Sequence, residues 1–210
     1  MRIVTAQERE NWIARGKVLE QDGRGLKVVR LSDEQIIKVF RPRRRLWLSR
    51  LMPQAKRFES NAIRLSKLDI PAPLVTECFW LDKSLAVSGC IYRPLPGHSL
   101  EQIYRNSRGE FDALLPAFTS FIHTLHQRGI YFRSLHLGNV LKLPDGSFGL
   151  IDFLDIHFKR APLAHRLVAR NLEHLRSYLQ RNRMTDFPWE KLKSAYAQAA
   201  QASGSHKQGR

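Results

Sequence analysis

Alternating apolar and polar positions dominate the first half of the chain, and a 3.6-residue period takes over in the second. Strand patterns occupy 17–21, 26–31 and 35–40, joined by Asp22-Gly23-Arg24-Gly25 and Ser32-Asp33-Glu34, both hairpin-type turns. A short helix over 6–15 precedes them. A second helix, over about 54–68, ends at Ile70-Pro71-Ala72-Pro73, where each proline pushes its predecessor out of the α region. Two further strands are predicted over 74–80 and 84–92. After Pro94-Leu95-Pro96-Gly97 the pattern is helical at 99–105 and 111–128, then again at 163–180 and 188–201. Between those helices, short strands over 139–143 and 148–151 flank a Pro144-Asp145-Gly146 turn. Strands first and helices afterwards predict an α+β fold of two lobes. Residues 1–93 form a small β-rich lobe with a five-stranded sheet plus one helix, 94–203 a short helical lobe, and 204–210 a polar tail. A ligand is expected in the cleft between such lobes.

Composition narrows the class. Of 210 residues, 43% are hydrophobic and 26% charged, values of a globular chain. Against 19 Asp and Glu stand 35 Lys and Arg, a formal charge of +16. Such a charge draws the chain to polyanions: nucleic acid, phosphorylated glycan or an anionic membrane surface. The longest stretch free of Asp, Glu, Lys and Arg, from Ala113 to Gln127, is shorter than the roughly 18 apolar residues of a spanning helix. Met1 to Glu10 lacks the apolar core of a secretory signal, and Cys78 and Cys90 show no metal-ligand spacing. The expected location is the cytoplasm.

The chemistry concentrates in Tyr131-Phe132-Arg133-Ser134-Leu135-His136-Leu137-Gly138-Asn139-Val140 and Gly149-Leu150-Ile151-Asp152-Phe153-Leu154-Asp155. Asn139 lies five residues after Ser134, and Asp152 thirteen after Asn139. An amide oxygen and a carboxylate on adjacent short strands suit a shared Mg²⁺ that bridges nucleotide phosphates. With this spacing, after Leu125-His126-Gln127-Arg128-Gly129-Ile130, the sequence resembles the protein-kinase-like superfamily. It is most similar there to the small bacterial lipopolysaccharide-core (heptose and Kdo) kinase-like group, which includes proteins named for toluene tolerance.

The resemblance implies a bilobal kinase-like fold, ATP and Mg²⁺ as cofactors, and Asn139 and Asp152 as metal ligands. Lys38, in Gln35-Ile36-Ile37-Lys38-Val39-Phe40, looks like the third-strand lysine that reaches the phosphates, and Glu59 like the helix glutamate that pairs with it. Gly23 and Gly25 stand where backbone amides would cover the phosphates, and Tyr92 lies in the hinge that would meet the adenine. The chain departs from the family at two positions: Ser134 stands where the family has its catalytic Asp, and Phe132 where it has the preceding His. A serine hydroxyl is no base near neutral pH. Three readings follow: a phosphotransferase with a substitute base, for which His136 and Asp155 are candidates; a slow kinase that relies on positioning and charge neutralisation; and a catalytically silent, nucleotide-binding pseudokinase acting in envelope maintenance or solvent tolerance.

No peptide-docking segment follows Asp152, so the implied acceptor is a sugar or glycolipid. Arg43, Arg44, Arg45 and Arg50, interleaved with Trp47, Leu48, Leu51 and Met52, suit an anionic surface at the inner membrane or a phosphorylated acceptor. No RNP, helix-turn-helix or zinc signature accompanies the charge, so nucleic acid is not an expected partner.

Overall fold

The computed structural model describes residues 1–42 and 46–205, and the chain divides into two compact units, Met1–Leu95 and Pro96–Arg210. In the first, β1 (Arg2–Ile3) leads into α1 (Ala6–Arg15). Next come β2 (Lys17–Asp22), β3 (Gly25–Ser32) and β4 (Gln35–Phe40), then α2 (Leu46–Leu51) and α3 (Gln54–Ser66), and finally β5 (Leu74–Asp82) and β6 (Val87–Arg93). The sheet has six strands rather than five, in the order β1-β5-β6-β4-β3-β2. The added strand is β1, two residues paired parallel to Phe79 and Trp80 and too short to show a period. The helices predicted over 6–15 and about 54–68 are α1 and α3, although the lobe is counted with one; the added helix is α2, in the stretch where arginines interleave with Trp47, Leu48, Leu51 and Met52.

Strand alternation gives this sheet two different faces. On one, Val29, Ile37 and Phe79 form a buried cluster with Val4, and Trp12 of α1 packs on Phe79 at 5.1 Å. On the other, Lys38, Cys90 and Cys78 stand in one row across β4, β6 and β5. That face lies under α3: Phe58 packs on Phe40 at 5.5 Å and on Tyr92 at 6.0 Å, and Ala55 donates its N–H to Ser88 Oγ at 3.2 Å. Gly89 is required at the centre, because a Cβ there would stand 2.5 Å from the Phe79 ring. A capping box between Thr5 and Glu8 starts α1. Arg2 then ties that helix to the sheet, reaching Glu8 at 2.7 Å and Glu77 at 2.6 Å.

The second unit contains β7 (His98–Ser99), α4 (Leu100–Asn106), α5 (Arg108–Gln127) and β8 (Ile130–Phe132). A single 3-10 turn, Leu137–Asn139, then enters β9 (Val140–Lys142), followed by β10 (Phe148–Leu150), β11 (Ile156–Phe158), α6 (His165–Arg181) and α7 (Trp189–Ser205). Phe111, Leu115, Phe118 and Ile122 make the buried face of α5. Two short antiparallel pairings carry the motif segment: β9 with β10, and β8 with β11. The second pairing escaped the sequence patterns, because three-residue strands carry no readable alternation. Among the described residues, no helix is long and apolar enough to cross a membrane.

Phe58 is the hinge of packing between α3 and the sheet, at 1% exposure. Phe58→Ala is expected to cost about 3–5 kcal/mol, as buried aromatic truncations do. Urea unfolding should show a lower midpoint at unchanged slope.

Candidate functional site

The loop after β8 is built around two buried leucines. Leu135 and Leu137, at 1% and 0% exposure, point into the core and leave Ser134 and His136 half-buried on the other side. Register does the rest. Phe132 pairs with Ile156, so Asp155, just before β11, lies beside the chain leaving β8. There Ser134 Oγ donates to Asp155 Oδ2 at 2.6 Å. Such a short bond to a carboxylate is of the stronger, charge-assisted kind. The other carboxylate oxygen, Oδ1, is buried without a hydrogen-bond partner.

His136 lies against the same group of acids. Its ring stacks on Tyr178 of α6 with centroids 3.9 Å apart and planes 3° from parallel, and the Tyr178 hydroxyl donates to Glu101 of α4. Burial pushes the His136 pKa down, while the charges of Glu101, Asp152 and Asp155 act to raise it. His136 Nδ1 is also buried without a partner. Glu101 itself is held low, against the cost of its burial, by hydrogen bonds from Tyr178 and Arg105.

Asn139 closes the 3-10 turn and donates its side-chain N–H to the Ser134 carbonyl at 3.0 Å, which leaves Oδ1 as its remaining side-chain acceptor. Its own carbonyl accepts from Ile151 N at 3.0 Å, which ties it to the residue before Asp152. Asp152 is exposed and adopts φ +50°, a left-handed conformation that non-glycine residues reach at a cost and that recurs at functional sites. Among the described residues no three His, Cys, Asp or Glu cluster as a metal site. An amide oxygen and one carboxylate nevertheless fit Mg²⁺, which takes few protein ligands and completes its shell with phosphates and water.

In the first unit, Lys38 Nζ lies 5.5 Å from the Phe58 ring centroid and 6.0 Å from that of Phe40. Glu59 accepts from Lys56 at 2.7 Å. Lys38 and Glu59 act with opposite sign on the Cys90 thiol, whose pKa burial pushes far up, so both charges belong to one neighbourhood under α3. Tyr92 is on the same face of the sheet, two residues along β6 from Cys90, packed on Phe58. Gly23 and Gly25 form a tight hairpin in which the Arg24 N–H is taken by Asp22 Oδ1 at 2.9 Å, so that amide is already engaged. Arg43, Arg44 and Arg45 lie outside the described residues. Beyond them, Arg50 hydrogen-bonds the Ser84 carbonyl, while Trp47, Leu51 and Met52 are 64%, 78% and 68% exposed.

Three residues that support the loop are not among the expected site residues. Tyr196 OH donates to His126 Nδ1 at 2.7 Å, His126 Nε2–H to Asn171 Oδ1 at 3.0 Å, and Asn171 Nδ2 to the Phe132 carbonyl at 2.6 Å. This chain joins α7, α5 and α6 to the strand that delivers Ser134, and it is complete with a neutral imidazole. The signals available in the sequence were His126 in the segment before β8 and a polar Asn171 at a core position of α6.

No protein-family model matches the chain, and no curated protein is significantly similar to it. Among solved structures, a kinase of Cydia pomonella granulovirus, PK-1, matches with TM-score 0.43 at 10% identity over 76% of this chain and 58% of its own. WbdD matches with TM-score 0.50 at 14% identity over 83% of this chain and 43% of its own. The chain thus spans less than two thirds of either protein, and at this identity the likeness to WbdD is one of fold alone. It agrees with the β-rich first unit and the helical second one. The fold is α+β and similar to that of WbdD. In this chain the motif residues of the second unit converge as a group, and Lys38 and Glu59 lie in one neighbourhood of the first.

Burial depresses the His126 pKa from 6.5 to about 4. Between those values the unfolded chain binds the proton and the folded one does not, so stability falls as pH drops through that window and levels off below it. The loss from this residue is about 3 kcal/mol. Urea unfolding at pH 7, 6, 5 and 4 should show this slope. His126→Phe should be less stable at pH 7 but lose less on acidification.

Proposed function

We propose that the chain is an ATP- and Mg²⁺-dependent phosphotransferase acting on a hydroxyl of a sugar or glycolipid, the lipopolysaccharide-core class its motifs resemble. The hydrogen bond from Ser134 to Asp155 carries the reading. It supplies a carboxylate one hydroxyl away from the position of the missing Asp. The acceptor hydroxyl gives its proton to Ser134 Oγ as Ser134 passes its own to Asp155 Oδ2. The acceptor oxygen forms its bond to the γ-phosphorus, and the bond from that phosphorus to the oxygen shared with ADP breaks. Asp155 is then the base and Ser134 the relay, while His136, kept neutral by burial, packs the loop against Tyr178. Bound Mg²⁺ would be held by Asn139 and Asp152 and would neutralise phosphate charge. Lys38 takes the phosphate-contacting role implied by the resemblance, with Glu59 near it, and Tyr92 the hinge role. Exposed Trp47, Leu51 and Met52, beside Arg43 to Arg45, support peripheral attachment to an anionic surface in the same reading.

Ser134 itself favours a second reading, a nucleotide-binding pseudokinase in envelope maintenance. Turnover of ATP with purified core oligosaccharide separates the two. Ser134→Ala and Asp155→Asn are each expected to slow turnover by about 10²–10⁴-fold, the usual worth of a general base. Ser134→Asp should retain it. Unchanged turnover in Asp155→Asn would overturn the relay. No turnover in the unmodified chain, with thermal stabilisation by ATP and Mg²⁺ intact, would favour the pseudokinase.

Nucleotide binding has its own check. ATP with Mg²⁺ should raise the melting temperature by linkage, and Asp152→Ala should remove the metal-dependent part of that rise. Full retention in Asp152→Ala would move the metal elsewhere.

A further inference from the structure

The first unit holds a cavity of about 310 Å³ on the sheet face opposite Lys38. Ile37 and Val39, which flank Lys38 in β4, form its floor with Val29 and Leu81, while Lys38 turns to the Phe58 side. Trp12 and Ile13 of α1 make the wall. The cavity opens to solvent on one side and is not an enclosed void. It has the size of a small ligand pocket, roughly 300 Å³ being the lower end of the range.

Its polar lining is of one sign. Arg9, Arg24 and Arg41 border an otherwise apolar space. Asp22 lies 3.7 Å from both Arg24 and Lys27, and Lys27 pairs more closely with Glu20, at 2.7 Å. Arg41 is fixed rather than splayed: its Nη1 donates to the Leu26 carbonyl at 2.6 Å. Gly25, at φ +108°, makes room for it, since a Cβ would stand 3.2 Å from Arg41 Nη2. Partial burial also lowers the Arg41 pKa, a cost that an anion beside it would offset.

We infer that this cavity binds a single-chain amphiphilic anion, its alkyl chain between α1 and the sheet and its carboxylate or phosphate among Arg9, Arg24 and Arg41. At about 30 Å³ per water-sized group, the space takes a chain of about ten carbons. Lys38 points to the opposite face of the sheet, so the apolar part of this site is separate from the Lys38 contact; Gly25, expected over the phosphates, lies on its border, and the binding test below needs no nucleotide.

Calorimetric titration with decanoate, decyl phosphate and decanol, each below its aggregation concentration, tests the inference. Both anions should bind saturably at one site, and decanol at least tenfold more weakly. The stronger of the two anions identifies the head group, carboxylate or phosphate. Arg9→Gln combined with Arg24→Gln, on exposed side chains, should weaken both anions at least tenfold and leave decanol unchanged. Leu81→Phe, which fills the floor, should abolish binding of all three; the double arginine variant carries the test should that filled chain unfold. Absence of saturable binding by either anion, decanol binding as tightly as decanoate, or full affinity in the double variant would overturn the site.

Discussion

The hydrogen-bond chain from Tyr196 through His126 and Asn171 to the Phe132 carbonyl sets where the second unit can form a site. Each link dictates the next. Asn171 must offer its oxygen to the imidazole because its nitrogen serves the strand, and the imidazole must then carry its proton on Nε2. The three side chains come from three helices, so a single backbone carbonyl is positioned by most of the unit. Two residues further on stands Ser134. A buried polar group left without its partner costs about 1–3 kcal/mol, which makes such a chain an all-or-none support.

The first unit solves a different problem with one sheet. Its α3 face admits charge, with Lys38, Glu59 and Lys56 around two thiols; burial pushes that of Cys78 up to about 12, so it stays protonated at neutral pH. Its α1 face is apolar at the centre and cationic only at the border. A period-two strand keeps these chemistries apart while placing them on consecutive residues, Ile37, Lys38 and Val39.

Much of this was legible in the sequence. Alternation gave β2, β3 and β4 nearly to the residue, and the spacing of Ser134, Asn139 and Asp152 located the loop and the turn that follow β8. What could not be read arises from pairing over distance. The two-residue β1, the β8–β11 ladder and the partnership of Asn171 with His126 have no local signature, because each depends on segments tens of residues apart coming together. Ser134 looked like a loss in the sequence; only the register of Phe132 against Ile156 puts Asp155 at its side.

The two edges of the six-stranded sheet are closed in unlike ways. At β2 the edge is irregular and charged, with register breaks around Glu20 and an exposed face, which discourages pairing with another chain. At the other edge, β5 runs for nine residues and is screened over Phe79 and Trp80 by the two residues of β1, with Val4 N adding a bond to the Trp80 carbonyl. Arg2 and the start of α1 hold that short strand in place. Clipping of a few amino-terminal residues would therefore do more than shorten the chain: it would bare the backbone beside Phe79 and Trp80, leave the whole of β5 an unpaired edge, and invite self-association of otherwise folded molecules.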